Sequence, residues 1–179
     1  MKKYNDTTYA ILGILTTDCR SGYEIKSFID NSLTHFWKIS YGQIYPTLKL
    51  IEADELATVQ ITSDEGKPTR KEYSLTKKGM QALKEWLEQP LKQLPVERNE
   101  VLLKLFFGQH QTVEQTLQLL EDYQKKLKAT YEKYEGIEEM ISYYDNNKND
   151  AKYWLFTLDY GKKVTEAALA WCEETIKNL

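Results

Sequence analysis

The polar side of one predicted helix carries side chains that are suited to contacting double-stranded DNA. Gln43 has an amide donor beside an amide acceptor, which is the pair that reads the major-groove edge of adenine. Gly42 permits a close approach of the backbone, and Tyr45 and Lys49 can reach phosphate oxygens. A major groove is about 12 Å wide and admits one helix, so this face predicts groove binding.

Three cations lie on or beside a turn that follows this helix. Residues 63–68 combine serine, acidic residues, glycine and proline, a composition typical of a connection between two strands. Lys67 lies in that turn, and Arg70 and Lys71 follow it. A hairpin tip with this charge is suited to contact with phosphates or with the minor groove.

Three short helices are predicted to position the polar face. Asn5 or Asp6 can cap the first helix, and Ser21–Glu24 has the capping-box pattern that starts the second. The third begins at Ser40–Gln43, which is also a capping box. Its apolar residues recur at intervals of four and three, as they do on the buried side of an amphipathic helix.

A two-stranded hairpin is predicted after the third helix. Residues 56–62 alternate apolar and polar side chains, and residues 70–75 return as the second strand. Thr76 then caps a fourth helix, which stops before Pro90. Three helices, a hairpin and a further helix make a winged helix–turn–helix, so the fold class is predicted to be mainly α.

The second half of the chain is predicted to be an α-helical dimerisation domain. We expect a DNA-binding domain at residues 1–89, a linker at 90–98 and the helical domain at 99–179. The last helix keeps a seven-residue apolar spacing over most of its length, which is more apolar surface than one small domain needs to cover. A homodimer is therefore expected, and packing of this surface within one chain is the alternative. The expected interface residues are Leu155, Leu158, Leu169 and Ile176.

Four runs of residues in the first half resemble the PadR family of bacterial transcriptional regulators. They are Tyr9–Gly13, Ser21–Ile25, Gly42–Leu48 and Tyr73–Gly79, and the Gln-Ile-Tyr-Pro sequence in the third run is the most specific. The resemblance covers residues 4–88, and the helical remainder is similar to the longer, phenolic-acid-repressor-like subfamily. It implies a homodimer that binds a pseudo-palindromic operator and is often released by a small aromatic compound. The candidate DNA-binding residues are Ser21, Tyr23, Lys26, Tyr41, Gly42, Gln43, Tyr45, Lys49, Lys67, Arg70 and Lys71.

The aromatic residues of the chain suggest a site for a small aromatic or phenolic effector. Thirteen tyrosines, four tryptophans and five phenylalanines make up 12% of the residues, and most lie outside the third helix and the hairpin. Phe36 and Trp37, which the subfamily shares, lie between the second and third helices, where a ligand can tilt the third. The alternative is that the rings only pack the core and the interfaces. The candidate effector residues, several of them expected near the domain junction, are Phe36, Trp37, Trp86, Phe106, Tyr123 and Trp154.

Composition and spacing argue against several other classes of protein. The sequence has no pair of carboxylates, nucleophile–histidine set or glycine-rich loop that stands out as catalytic, so we expect no enzyme activity. Two cysteines and two histidines without zinc-type spacing imply neither a metal, a cofactor nor a disulfide framework. No apolar run approaches the roughly 20 residues of a membrane span, and a reducing cytoplasm is the expected compartment.

Bulk charge leaves a second interpretation open. The chain has 24 basic and 27 acidic residues and a net charge of −3, so any DNA binding has to come from a local patch. The alternative is a helical adaptor that oligomerises without binding DNA. That interpretation accounts for residues 112–178 but not for a turn with three cations.

Overall fold

The computed structural model describes residues 4–62, 70–91, 93–144 and 150–179, without the side chains of residues 142–144. The chain divides into two compact units, Met1–Leu94 and Pro95–Leu179. In the described residues the structure is mainly helical and contains a two-stranded antiparallel sheet. The predicted fold class is confirmed.

The helices of the N-terminal unit begin at the caps that the sequence predicts. The Asn5 side chain accepts a hydrogen bond from the Thr8 N–H, and Ser21 and Glu24 form a complete capping box. The hydroxyl oxygen of Thr76 accepts a hydrogen bond from the Gly79 N–H. The elements are α1 (Asp6–Ile14), α2 (Gly22–Asn31), α3 (Tyr41–Ala53), β1 (Ala57–Thr62), β2 (Arg70–Leu75) and α4 (Lys77–Leu87).

The hairpin of β1 and β2, called the wing below, is tied to the helices at its base. The strands pair antiparallel, with Ala57 opposite Leu75. The Tyr73 N–H donates to the Arg20 carbonyl at 2.7 Å, which joins β2 to the turn between α1 and α2. The predicted turn at residues 63–68 lies outside the described residues. Three helices, the wing and α4 therefore form the predicted winged helix–turn–helix.

A cluster of aliphatic side chains from α1, α2 and α3 forms the core of the N-terminal unit. Burying each such side chain stabilises the folded state by roughly 1.5–3 kcal/mol. Because α3 is held through its apolar side, its polar side faces solvent. The aliphatic side chains with less than 2% exposure are Ile11, Leu12, Leu15, Ile25, Ile29, Ile44, Leu48, Ile51 and Leu56.

The described residues of the C-terminal unit form one short and two long α-helices, with a 3-10 turn at Gly108–His110. Asn99 caps the short helix, and the Thr112 hydroxyl accepts from the Gln115 N–H at the start of the next. In the described part of the chain, no helix is long and apolar enough to cross a membrane. The helices are α5 (Glu100–Phe106), α6 (Val113–Tyr144) and α7 (Asp150–Lys177).

The two long helices pack along each other through a repeat of seven residues on α7. A Cβ atom at Gly161 would lie 3.1 Å from Cζ of Tyr134, so the glycine permits close packing against that α6 ring. Packing within one chain leaves Leu158 only 8% exposed, which argues against its predicted place at a dimer interface. The other predicted interface residues are half-buried: Leu155, Leu169 and Ile176. The buried residues of the repeat are Ala151, Leu158, Thr165 and Cys172.

Candidate nucleic-acid interface

The polar side of α3 is exposed at every position that the sequence singles out. Tyr41, Gly42, Gln43, Tyr45 and Lys49 are all exposed, whereas the residues that α3 buries are Ile44, Thr47, Leu48 and Ile51. These five residues, called the α3 face below, therefore form one solvent-facing surface on a fixed helix. Such an arrangement is what a helix needs to enter a major groove.

Gln43 has a structural role in addition to its exposed position. Its Oε1 atom accepts hydrogen bonds from the Ser40 N–H at 2.9 Å and from the Ser40 hydroxyl at 3.0 Å. These bonds use only the amide oxygen of Gln43. Bidentate contact with adenine needs both amide groups, so the side chain has to leave this cap when it reads a base.

The first turn of α2 lies against the α3 face. A Cβ atom at Gly22 would lie 2.9 Å from Cε1 of Tyr45, so the Tyr45 ring rests on the glycine. Tyr23 is 75% exposed, as a DNA contact requires, but Ser21 is only 5% exposed. The Ser21 hydroxyl accepts from the Glu24 N–H at 3.3 Å and caps the helix. This burial argues against the predicted contact between Ser21 and DNA, because the hydroxyl is held in the cap.

Lys26 is paired within the chain. Its Nζ atom forms an ion pair with Asp30, one turn further along α2, and lies 4.3 Å from the centroid of the Tyr41 ring. The hydrogen bond to Asp30 raises the pKa of Lys26. The charge of Lys26 is thus partly offset, although the pair is partly exposed to solvent.

Arg70 and Glu24 link the wing to α2. The Arg70 guanidinium donates to Oε1 of Glu24, and its Nε atom lies 3.7 Å from a carboxylate oxygen of Glu72. Partial burial by itself raises the pKa of Glu24. The N–H groups of Arg20 and Ser21, with the Arg70 guanidinium, outweigh that effect and lower the pKa to about 2. Glu24 is therefore ionised, with hydrogen bonds to both carboxylate oxygens.

The remaining predicted cations differ in their surroundings. Nζ of Lys71 lies 4.0 Å from a carboxylate oxygen of Glu52. Among the residues that the structure describes, no carboxylate lies within that distance of Lys49. Lys67 lies outside the described residues. Within the described part of the interface, Lys49 is thus the predicted cation whose charge is least offset.

Three of the candidate effector residues lie in the N-terminal unit. Trp86 stacks on Tyr9, with ring centroids 4.9 Å apart and planes within 8° of parallel, and both rings pack against the core. Phe36 and Trp37 are exposed and follow a short 3-10 turn, Leu33–His35, just before α3. Trp86 is thus used in packing, while Phe36 and Trp37 are accessible to a ligand.

A cavity of about 510 Å³ lies elsewhere in this unit, beside α1, the end of α3 and α4. None of the predicted effector residues lines it. The lining residues are Tyr4, Tyr9, Ala53, Asp54, Glu55, Leu56, Lys78, Gln81, Ala82 and Glu85.

The other three candidate effector residues lie in the C-terminal unit. Phe106 is 82% exposed and meets Phe107 edge to face. The hydroxyl oxygen of Tyr123 accepts from the Asn99 side chain at 3.3 Å, which ties the cap of α5 to α6. Trp154 is partly exposed on α7. Tyr123 therefore has a structural contact, while Phe106 and Trp154 stay predictions.

A second apolar stripe on α7 is not part of the sequence prediction. It consists of four exposed residues, spaced by three, four and four positions, on the side turned away from the buried repeat. The same periodicity in the sequence, applied to the aromatic residues, would have found it. The residues of this stripe, called the outer stripe below, are Tyr153, Phe156, Tyr160 and Val164.

The described residues contain no group of three or more His, Cys, Asp or Glu side chains that can hold a metal ion. Cys19 is half-buried and Cys172 is buried, and both are free thiols. Burial raises the pKa of the Cys172 thiol, so its nucleophilic thiolate form is disfavoured.

Known families match both units of the chain. The family model described as "Transcriptional regulator PadR-like family" matches residues 11–85, and one described as "Virulence activator alpha C-term" matches residues 97–179. The curated Negative transcriptional regulator PadR of Bacillus subtilis (strain 168) is 33% identical over 135 residues. That alignment spans 74% of this chain and 73% of the relative.

Solved structures of that relative share the architecture over almost the whole chain. The crystal structure of Bacillus subtilis PadR in complex with operator DNA is 28% identical, with a TM-score of 0.85, and the match covers 97% of this chain and 98% of that one. The complex of the same regulator with p-coumaric acid is 27% identical, with a TM-score of 0.77, over 95% and 96% of the two chains.

Proposed function

The chain belongs to the PadR-like family of transcriptional regulators. We propose that it binds an operator in the cytoplasm as a homodimer and that it represses transcription. The α3 face carries the proposal, because five exposed residues suited to DNA lie on a helix whose other side is fixed in the core. The Bacillus subtilis relative, crystallised with operator DNA, supports it.

In this proposal, the α3 face enters the major groove and the wing follows the phosphate backbone. Gln43 reads a base edge, and Tyr45 and Lys49 contact phosphates on either side. Lys67 and Lys71 contact phosphates from the wing. Base contact by Gln43 determines sequence preference, while the phosphate contacts supply affinity that does not depend on sequence.

The substitution Gln43→Glu tests base reading without removing the helix cap. A carboxylate at this position still accepts from Ser40, so the free energy of unfolding should change by less than about 0.5 kcal/mol. The amide donor is lost, and operator affinity should fall at least tenfold, since a bidentate contact contributes about 1–3 kcal/mol. Fluorescence anisotropy with DNA from upstream of the protein's own gene measures this change.

The matched control is Gln89→Glu, which adds the same charge at an exposed position after α4. It should leave operator affinity within about twofold of wild type, because a single distant charge is screened at physiological salt. Equal losses in the two variants would contradict base reading by Gln43. An unchanged affinity in Gln43→Glu would contradict it as well.

Activation of transcription is a second candidate function. It is favoured by the description of the family model that matches residues 97–179, which names a virulence activator. Repression remains the proposal because the relative that aligns with 74% of the chain is a negative regulator. Transcription in vitro from the bound promoter separates the two: repression lowers transcript yield and activation raises it.

The outer stripe of α7 supports the homodimer. Its four large apolar side chains are exposed in a single chain, and monomeric proteins rarely leave such a continuous apolar surface in solvent. A second copy of the chain can cover it with the same stripe, because two-fold interfaces use one patch on both subunits. Two subunits also suit a pseudo-palindromic operator, whose half-sites are about 34 Å apart.

We also propose that a phenolic acid of the p-coumaric type binds at Phe36 and Trp37 and lowers operator affinity. The Bacillus subtilis relative, crystallised with p-coumaric acid, supports the ligand class. The two rings are exposed and lie four and three residues before the Ser40 cap, so a ligand there acts directly on the start of α3. The ligand lowers operator affinity because it binds the DNA-incompetent state of the protein more tightly than the DNA-competent state.

Isothermal titration with p-coumaric acid tests the effector site. Trp37→Ala should weaken binding about tenfold, which is 1.4 kcal/mol and the size of one good aromatic contact. Trp86→Phe is the control and should bind the ligand as wild type does, since that ring stacks on Tyr9. A larger loss in Trp86→Phe than in Trp37→Ala would contradict the assignment.

A further inference from the structure

We infer that Glu24 and Arg70 are positioning residues, which hold the wing at a fixed place beside the α3 face, and that Arg70 is not a phosphate contact. The inference rests on the proposed DNA binding and deepens it, because it separates the residues that contact DNA from those that orient them. It also replaces the role that the sequence predicts for Arg70.

The Arg70 guanidinium lies among polar side chains of α2 and of β2. Its Nη2 atom donates to Oε1 of Glu24 and lies 3.4 Å from the Ser21 hydroxyl oxygen. Its Nε atom lies 3.7 Å from Oε1 of Glu72. One positive charge is thus set among two carboxylates, so this cluster has a net charge of −1. A phosphate has to overcome that charge to reach Arg70, whereas a phosphate contact needs a positive potential.

Glu24 receives hydrogen bonds from two separate parts of the chain. Its Oε2 atom accepts from the N–H groups of Arg20 and Ser21, both at 2.9 Å, and completes the capping box of α2. Its Oε1 atom accepts from Arg70, which begins β2. The cap holds the Glu24 carboxylate in place. The hydrogen bond from Arg70 therefore holds the start of β2 beside α2.

The same turn of α2 also supports the α3 face. The ring of Tyr45 rests on Gly22, where a Cβ atom would come within 2.9 Å of the ring. The first turn of α2 therefore contacts α3 through Gly22 and the wing through Glu24. These two contacts determine where the wing lies relative to α3.

The ion pair adds an attachment to α2 at the outer end of β2. The Tyr73 N–H already donates to the Arg20 carbonyl. Arg70 lies three residues nearer the tip, which is about 10 Å along a strand. Lys71, the next residue, lies 4.0 Å from Glu52 of α3. Together these contacts restrain the outer part of the wing, and the Arg70 bond ties it to the cap of α2. The ion pair between Arg70 and Glu24 is partly exposed, so it contributes little to the free energy of unfolding. Its main effect is to orient the wing.

Operator affinity, measured against salt concentration, distinguishes a positioning residue from a phosphate contact. We expect Glu24→Gln and Arg70→Met each to weaken operator binding about fivefold to tenfold, which lies within the range of coupling between contacting residues. The double variant should be no weaker than either single variant. In all three, the slope of log K against log salt should equal that of wild type, because no phosphate contact is lost.

Glu24→Gln is the decisive variant, because the two roles predict opposite results. If Arg70 bound phosphate, removing the charge of Glu24 would free the guanidinium and tighten binding. If Arg70 positions the wing, the same change weakens binding. Glu55→Gln is the matched control: it removes one carboxylate charge from the same unit, at the ion pair with Lys78, and should leave affinity within twofold.

Two further measurements complete the test. Arg70→Lys should recover at least half of the affinity lost in Arg70→Met, since an ammonium can still pair with Glu24. Thermal unfolding should show all variants folded, because the amide of Glu24→Gln still accepts the capping bonds. Tighter operator binding by Glu24→Gln would overturn the inference but not the proposed function. A slope of log K against log salt that is smaller by about one in Arg70→Met would do the same. Absence of operator binding by wild type removes the proposed function and the inference with it.

Discussion

Replacing Gly79 by alanine should lower the free energy of unfolding of the N-terminal unit by about 3 kcal/mol, at the upper end for an overpacked core. A Cβ atom at this position of α4 would lie 2.1 Å from the carbonyl oxygen of Leu56 and 2.8 Å from Cδ1 of Leu75. The leucine side chain can move, but the carbonyl belongs to the backbone just before β1. Relief therefore requires α4 to move away from the wing.

The Leu56 carbonyl is unable to yield because it is already bonded. It accepts from the Thr76 N–H at 3.0 Å, and the Thr76 hydroxyl is shared between this carbonyl, at 3.0 Å, and that of Glu55, at 2.8 Å. The same hydroxyl oxygen accepts from the Gly79 N–H and caps α4. A methyl group at Gly79 thus disturbs the cap and the junction between β1 and β2 together. We expect operator binding to be lost at 37 °C, where the marginal stability of a small unit leaves little reserve.

Gly13→Ala is the control for this prediction. Gly13 lies in α1, and a Cβ atom there meets no atom within 4 Å. Alanine is the better helix former by about 0.8–1.0 kcal/mol, so this variant should be as stable as wild type or more stable. Urea denaturation followed by circular dichroism measures both variants. A Gly79→Ala protein that unfolds at the same urea concentration as Gly13→Ala would contradict the packing argument.

Local sequence signals predict the elements of this fold well. Ser21–Glu24 and Ser40–Gln43 start helices where their capping patterns indicate, because a cap depends on residues three positions apart. The wing follows from alternation on both sides of a turn. The exposure of the α3 face follows from helical periodicity alone.

Contacts between distant residues are the part that these signals do not contain. Arg70 and Glu24 are 46 positions apart, and only the folded wing brings the guanidinium to the carboxylate. A cation near a turn looks like a phosphate contact in the sequence, whatever charge the fold places beside it. The burial of Ser21 has a similar origin, since a capping serine is exposed or buried according to what packs over it.

The seven-residue repeat of α7 shows a second kind of ambiguity. A heptad pattern predicts that a helix packs against another helix, but it does not say whether the partner belongs to the same chain. Here α6 is the partner, and Leu158 is buried within one subunit. The outer stripe, on the other side of the helix, is the surface that we propose for a second subunit.

Replacing Phe156 and Tyr160 together by aspartate should convert the dimer to a monomer at micromolar concentration. Both rings are more than half exposed in one chain, and a buried aromatic side chain removes about 150–250 Å² from water. In a two-fold interface each substitution occurs twice, so four apolar contacts become four buried carboxylates. We expect the dimer dissociation constant to rise by more than about 100-fold, or 2.7 kcal/mol, as measured by sedimentation equilibrium.

Operator binding should fail in this variant even though the DNA-binding unit is intact. A monomer contacts one half-site, and it loses the gain that a linked second half-site provides, typically 10²- to 10⁴-fold. The fold of the C-terminal unit should survive, because α7 packs on α6 through the opposite side. The matched control is Val113→Asp with Met140→Asp, two apolar residues of α6 with similar exposure. If that control also became monomeric, or if the α7 variant remained dimeric, the outer stripe would not be the dimer interface.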